Sequence, residues 1–329
     1  MIDPLSKTTP NYKDVLAASK RLKNIAVKTP LIENSHLNEL VNGRVFLKAE
    51  TLQHTGSFKF RGAYNFLSQL NESYKKKGVV AYSSGNHAQG VAAAAKLLKV
   101  NATIIMPSDA PDIKLKQTRA LGAKVITYVR DKENREEIAI NFSQKTGSTI
   151  IPPYDHPWTI SGQGTVALEI LDELDRIGLN ANKILVCCGG GGLTAGTVTT
   201  VSKKSPYSEI IVVEPVGYDD TARSLKEGQI LKNKITTNSI CDALLAPSPG
   251  NLTFQINKKF VSCGIAVTDE DVIKAMSFAW QYLKLVVEPS GAVALAAVLK
   301  QKNYFSNLNS VVILSGANVD PEFYSRVIK

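Results

Sequence analysis

From residue 78 to 152 short apolar segments of strand length alternate with helical ones, and no other feature restricts the fold as much. Residues 79–82, 102–106, 124–129 and 148–151 read as strands, and 87–98, 112–121 and 133–145 as helices. Strand–helix alternation at this spacing means parallel βαβ units with helices on both faces of a sheet. The second half repeats the pattern at larger scale. Helices are expected at about 165–176, from 193, at 269–283 and at 292–299, and strands at 184–188, 210–214 and 311–314. Ahead of the small block come a helix at 11–25, a strand at 45–48 and a helix at about 57–71. A chain of 329 residues exceeds what one compact core usually holds. We therefore expect an α/β protein of two domains, each an open, mostly parallel sheet flanked by helices. The small domain is 78–152, and the large one joins 1–77 to 153–329.

Composition removes several function classes. No apolar run approaches the ~20 residues that span a bilayer, and the first residues lack the cationic-then-apolar pattern of a signal peptide. The expectation is a cytoplasmic protein with no membrane partner. The net charge of +10 is scattered, and its densest cluster, Lys75-Lys76-Lys77, has no aromatic ladder, so nucleic acid is not an expected partner. Cys187, Cys188, Cys241 and Cys263 form no C-x-x-C pair and read as buried or half-buried thiols.

Ligands of open parallel sheets sit beyond the carboxyl ends of the strands. Three loops in that position carry unusual chemistry: 83–87, 189–193 and 315–318. In the first, Ser83, Ser84, Gly85, Asn86 and His87 gather hydroxyls and free N–H groups at a helix start, which suits a carboxylate. Asn86 with Gln89 also fits a plain reciprocal cap. In the second, Gly189, Gly190, Gly191 and Gly192 precede a helix from Leu193. Four glycines cost conformational entropy, but their bare backbone can wrap a small phosphate. The run matches neither an NTP nor a dinucleotide fingerprint. In the third, Ser315 either donates to a ring nitrogen or begins a turn. Glu214 and Asp220, six apart around a strand end, are oxygen ligands suited to a hard cation, or an ordinary acidic turn. Finally, Lys59 lies between Phe58 and Phe60 at a helix start. It is either a solvated lysine or an amine desolvated against aromatic surface and so easier to deprotonate.

Taken together, the motifs SFKFRGA (57–63), SSGNHAQG (83–90), SGQGT (161–165), GGGGL (189–193), EPVGYDD (214–220) and SGAN (315–318) resemble those of the fold-type II pyridoxal-phosphate enzymes, specifically the serine/threonine dehydratase (threonine ammonia-lyase) and serine racemase family. The resemblance implies a tryptophan synthase β-like fold and a pyridoxal 5'-phosphate cofactor. It makes Lys59 the Schiff-base lysine, with Phe58 packed on the ring, Asn86 on the ring hydroxyl and Ser315 at the ring nitrogen. Gly189, Gly190, Gly191, Gly192 and Leu193 would cradle the phosphate. Ser83, Ser84, Asn86 and His87 would line the substrate carboxylate pocket, and Arg135 lies in a segment that reaches substrate in some members. Glu214, Asp220 and the Tyr218 carbonyl match a divalent-cation site, for Mg²⁺ or a similar ion.

The activity implied is β-elimination and deamination of a hydroxyamino acid, L-threonine or L-serine, to 2-oxobutyrate or pyruvate and ammonia. Serine racemization, with Ser84 as the second acid–base group, and 3-hydroxyaspartate dehydration are the alternatives within the family. A non-catalytic small-molecule-binding protein on the same scaffold is the remote one. Relatives lead us to expect a homodimer or homotetramer. Ala243 and Ala317 depart from the glycines common in the family, and Tyr154 lies in a segment that borders the substrate site in relatives.

Overall fold

A computed structural model describes residues 8–83, 85–110, 112–130, 132–234 and 238–328. Among the described residues, ten strands form two sheets. The strands are β1 (Leu31–Glu33), β2 (Arg44–Ala49), β3 (Val79–Tyr82), β4 (Ala102–Pro107), β5 (Lys124–Tyr128), β6 (Thr149–Ile150), β7 (Lys183–Cys187), β8 (Glu209–Pro215), β9 (Val261–Val267) and β10 (Asn309–Leu314). The smaller sheet runs β5-β4-β3-β6 and is parallel throughout. The larger runs β1-β2-β10-β7-β8-β9 and is parallel except where β1 meets β2. Central strands such as β7 and β10 are buried along almost their whole length. That is the pattern of strands covered on both faces.

The helix predicted from residue 165 begins eight residues earlier and spans Pro157–Arg176. His156 caps it, its ring nitrogen accepting the Trp158 N–H, and Pro157 takes the first-turn position that proline tolerates. Gly162 and Gly164 in its middle are there for close packing. A Cβ on Gly164 would lie 2.7 Å from the Gly196 carbonyl oxygen of helix Gly192–Lys204, and one on Gly196 only 2.5 Å from Gly164 N. The helix expected over 269–283 is an α-helix, Asp269–Phe278, closed by one wider π turn, Ala279–Leu283. All four cysteines are free thiols. No helix among the described residues is long and apolar enough to cross a membrane.

Candidate active site

A partly open cavity of about 190 Å³ lies where the carboxyl ends of β3, β7 and β10 converge between the two sheets. The lysine helix, Lys59–Ser68, is stitched to the end of β10. Phe58 N–H donates to the Ser315 carbonyl at 3.1 Å, and Ser57 pairs with Gly316. This pairing brings Lys59 and Ser315, far apart in sequence, to one wall. Lys59 Nζ sits 5.2 Å from the centroid of the Phe58 ring and donates to the Pro153 carbonyl at 2.9 Å. Burial disfavours its charged form and lowers its pKa to about 8. Phe60 points into the core instead, and Arg61 joins a buried ion cluster with Glu50 and Glu169.

The glycine loop forms the opposite wall. Gly191 adopts φ +86°, a left-handed conformation that only glycine takes without strain. The Gly190 carbonyl accepts from Gly250 N–H and from Thr253 Oγ1, and the Gly191 carbonyl accepts from Asn257 Nδ2. With these carbonyls pinned, the N–H groups of Gly189–Gly192 are left without a partner among the described residues. They stand at the start of helix Gly192–Lys204. Free N–H groups at a helix N-terminus are what a phosphate requires, so the loop fits the phosphate of the implied cofactor. A side chain on the loop is excluded, since a Cβ on Gly190 would lie 2.3 Å from the Tyr154 ring.

Asn86 does not cap its helix. The helix starts at Asn86 itself, Gly85 takes the cap position, and Gln89 Nε2 donates to Gln117 Oε1 rather than reaching back. The Asn86 side chain donates to Glu288 Oε1 at 2.6 Å and accepts from Asn318 Nδ2 at 2.7 Å, leaving one amide hydrogen for a ligand. Burial, reinforced by Asp242, pushes the Glu288 carboxyl up to about 8. His87 is buried against the Ile151 carbonyl at 2.9 Å, and desolvation holds its pKa down to about 3. It is therefore a neutral wall residue and brings no positive charge to a carboxylate. Ser83 lines the cavity, whereas Ser84 lies outside the described residues. Arg135 opens helix Arg135–Thr146, reaches the cavity, and holds its guanidinium 5.8 Å from the centroid of the Tyr82 ring.

The predicted cation ligands lie away from this cavity. Glu214 is the penultimate residue of β8, and its two oxygens accept the N–H groups of Thr221 and Ala222, so it also caps helix Asp220–Glu227. Asp220 accepts from Asn233 Nδ2 through one oxygen, while its Oδ2 is buried with no partner among the described residues. Burial raises both carboxyls, Glu214 to about 8 and Asp220 to about 6. No group of three or more His, Cys, Asp or Glu side chains suited to a metal occurs among the described residues. A cation here would need carbonyl or water oxygens besides the two carboxylates, and those are ligands that Mg²⁺ accepts. The buried, unpartnered oxygen fits such an ion.

Several wall residues escape a reading by local motif: Glu288, Tyr82, Pro153 and Asp242. Lys114 Nζ, from helix Asp112–Ala120 beside the small sheet, donates to Asp242 Oδ2 at 2.9 Å and so ties that helix to a residue of the cavity wall. An exposed pair of this kind is worth at most about 1 kcal/mol. Lys114→Ala should therefore raise the KM of a substrate about two- to fivefold while leaving kcat nearly unchanged, as steady-state kinetics would show.

The model of the family described as "Pyridoxal-phosphate dependent enzyme" matches residues 22–316. The chain is 42% identical to a serine racemase of Schizosaccharomyces pombe over 97% of each chain. It is 41% identical to an L-threo-3-hydroxyaspartate ammonia-lyase of Pseudomonas sp over 97% of this chain and 98% of that one. Among solved structures, a threonine deaminase of T.th. superposes with a TM-score of 0.90 at 40% identity, covering 94% of this chain and 99% of that one. Motif order, two parallel sheets and extended identity agree: the chain belongs to the fold-type II pyridoxal-phosphate-dependent enzymes, in the branch that holds hydroxyamino-acid lyases and racemases.

Proposed function

We propose that the protein is an ammonia-lyase that converts a β-hydroxy-α-amino acid, L-threonine or L-serine first, into a 2-oxo acid and ammonia. The observation that carries this reading is the Lys59 amine, buried, lowered to about 8 and facing the glycine loop and Ser315 across one small cavity. Pyridoxal phosphate, when bound, supplies the electron sink that makes the substrate α-proton acidic. The chain's own residues do the rest. Lys59 would hold the cofactor covalently and, once freed, would take the α-proton at Nζ. The free N–H groups of the glycine loop would bind the phosphate, and Phe58 would pack on the ring. Asn86, fixed by Glu288 and Asn318, would offer its remaining amide hydrogen to the ring hydroxyl. Ser83 and the start of helix Asn86–Leu98 would hold the substrate carboxylate without a formal charge, because His87 is neutral. Ser315 would meet the ring nitrogen.

A second reading has its own support. Arg135 places a guanidinium on the cavity wall, and a guanidinium pairs bidentately with a carboxylate. That favours 3-hydroxyaspartate, whose side chain carries one. Incubation with L-threonine, L-serine, D-serine and L-threo-3-hydroxyaspartate, scoring keto acid and enantiomer separately, decides among these. Keto acid from threonine or serine is the expected result. Enantiomer exchange outrunning keto acid from L-serine would replace the lyase reading by a racemase. A preference for hydroxyaspartate that Arg135→Ala abolishes would establish the second reading.

The pair Glu214–Asp220, with the Tyr218 carbonyl, is proposed to hold Mg²⁺ or a similar cation. An ion at a hundredfold excess over its Kd adds about 2.7 kcal/mol of apparent stability. Chelation should therefore lower the melting temperature, and Glu214→Ala should remove the response. An unchanged melting curve with chelator sinks the cation site.

A further inference from the structure

Asp155 lies in the connection between β6 and helix Pro157–Arg176 and does not line the cavity. Its carboxylate accepts the first three N–H groups of a different helix, Asn251–Asn257. Oδ1 takes Leu252 and Thr253 at 2.8 and 3.1 Å, and Oδ2 takes Asn251 at 3.1 Å. Gly250, at the cap position of that helix, has no side chain for the task and no room for one. A Cβ there would lie 2.4 Å from Asp155 Oδ1. Helix Asn251–Asn257 in turn holds the glycine loop. Gly250 N–H and Thr253 Oγ1 donate to the Gly190 carbonyl at 3.2 and 2.7 Å, and Asn257 Nδ2 donates to the Gly191 carbonyl at 3.3 Å. A trans peptide sets its C=O and N–H on opposite sides. Fixing these two carbonyls therefore turns the Gly191 and Gly192 N–H groups away from helix Asn251–Asn257, and both glycines line the cavity. The direction of two free N–H groups thus depends on a helix start that Asp155 satisfies.

We propose that Asp155 is a positioning residue for the phosphate cradle: by capping helix Asn251–Asn257 it fixes the glycine-loop carbonyls and so aims the loop N–H groups at the cofactor phosphate. The inference rests on the reading above, in which the glycine loop binds that phosphate. It adds a residue outside the cavity that sets the geometry of the loop. A carboxylate suits the task because it only accepts, so its two oxygens serve three donors at once. The role is separable from that of Lys59, which meets the other end of the cofactor.

The test compares pyridoxal 5'-phosphate with pyridoxal, which offers Lys59 the same aldehyde but lacks the phosphate. Dissociation constants of both for each apoprotein are read from the absorption band of the bound form. Asp155→Ala should weaken pyridoxal phosphate about tenfold, the scale of a lost helix cap, and leave pyridoxal within about twofold of the wild type. Asp155→Asn keeps one oxygen for Leu252 and Thr253 and should restore most of the difference. Thr253→Val deletes the hydroxyl bonded to the Gly190 carbonyl while keeping its shape, and should reproduce the loss, so the test does not hang on one variant folding. An Asp155→Ala protein that keeps the wild-type preference for the phosphorylated form overturns the proposal. Equal weakening of both ligands overturns it too, because Asp155 would then support the fold at large rather than the cradle. A wild type that binds the two equally well overturns the cradle reading itself, which separates the two failures.

Discussion

Lys59→Ala is expected to lower the rate of keto-acid release about 10⁴-fold or more, because it removes the covalent anchor and the proton acceptor together. The fold should survive the change. Apart from the Phe58 ring beside it, the Lys59 amine makes one hydrogen bond among the described residues, to the Pro153 carbonyl, and burying a cationic amine opposes folding more than it helps. Equal melting temperatures for the two apoproteins, together with loss of the yellow, borohydride-sensitive band, would identify the effect as chemical. Lys59→Arg should be as inactive as Lys59→Ala, since a guanidinium cannot lose its proton at any working pH. The pH dependence has a definite sign. Desolvation lowers the amine from 10.5 to about 8, so the neutral, reactive form dominates above that value and falls about tenfold per unit below it. Covalent capture of pyridoxal phosphate by the wild-type apoprotein should accordingly rise with pH through a midpoint near 8. A flat profile between pH 7 and 9 would remove Lys59 from the role.

The parts of the site that sequence alone can reach are those where a local run breaks the expected pattern. Four glycines after an apolar strand, or serines and an asparagine at a helix start, stand out because parallel strands end at the ligand side. Glu288 does not stand out. It is a single carboxylate in an apolar stretch, and its partner Asn86 is 202 positions away, so only folding shows that it faces the cavity. Asn86 is legible as a site residue, but its alternative reading as a cap fails. The helix begins one residue early, and Asn318 Nδ2 rather than a backbone N–H donates to the Asn86 side-chain oxygen that a cap would use. The segment 161–165 shows the same difficulty. Its glycines suggest a loop, yet they lie inside a helix where Gly196 must approach. The strand β1, three residues long, escapes the sequence reading because it carries too few residues on one buried face to produce a period. The edge strand β9 is missed for no such reason: Val261, Cys263, Ile265 and Val267 alternate along its more buried face and are legible as a strand.

Arg61→Ala should be the most destabilising single change considered, with a loss of about 3–5 kcal/mol in urea denaturation. The guanidinium is fully buried and all of its donors are used. Nε and Nη2 donate to Glu50 at 2.8 and 2.7 Å, and Nη1 and Nη2 donate to Glu169 at 2.6 and 2.9 Å. Further bonds reach Thr165 Oγ1 and the Val27 carbonyl. Glu50 is itself fully buried and, among the described residues, receives only the Thr29 hydroxyl besides, so truncating Arg61 strands a carboxylate without a cation. Glu169 keeps Lys48 and suffers less. The cluster ties the first turn of the lysine helix to the connection 27–29, the loop after β2 and helix Pro157–Arg176, so the damage spreads to four segments at once. The effect should also depend on pH in a way that lost packing would not. Burial opposes ionisation of Glu169, but Arg61 and then Lys48 outweigh it and hold the carboxyl below its ordinary value. In the wild type this stability is present above the unfolded pKa and is lost as pH falls through the folded one. Without Arg61, burial weighs more heavily, the Glu169 carboxylate protonates at higher pH, and that protonation relieves it. The gap between wild type and Arg61→Ala should therefore narrow as pH falls into the carboxylate range. A gap that stays constant from neutral to acid pH would assign the loss to volume rather than to the unpaired charge.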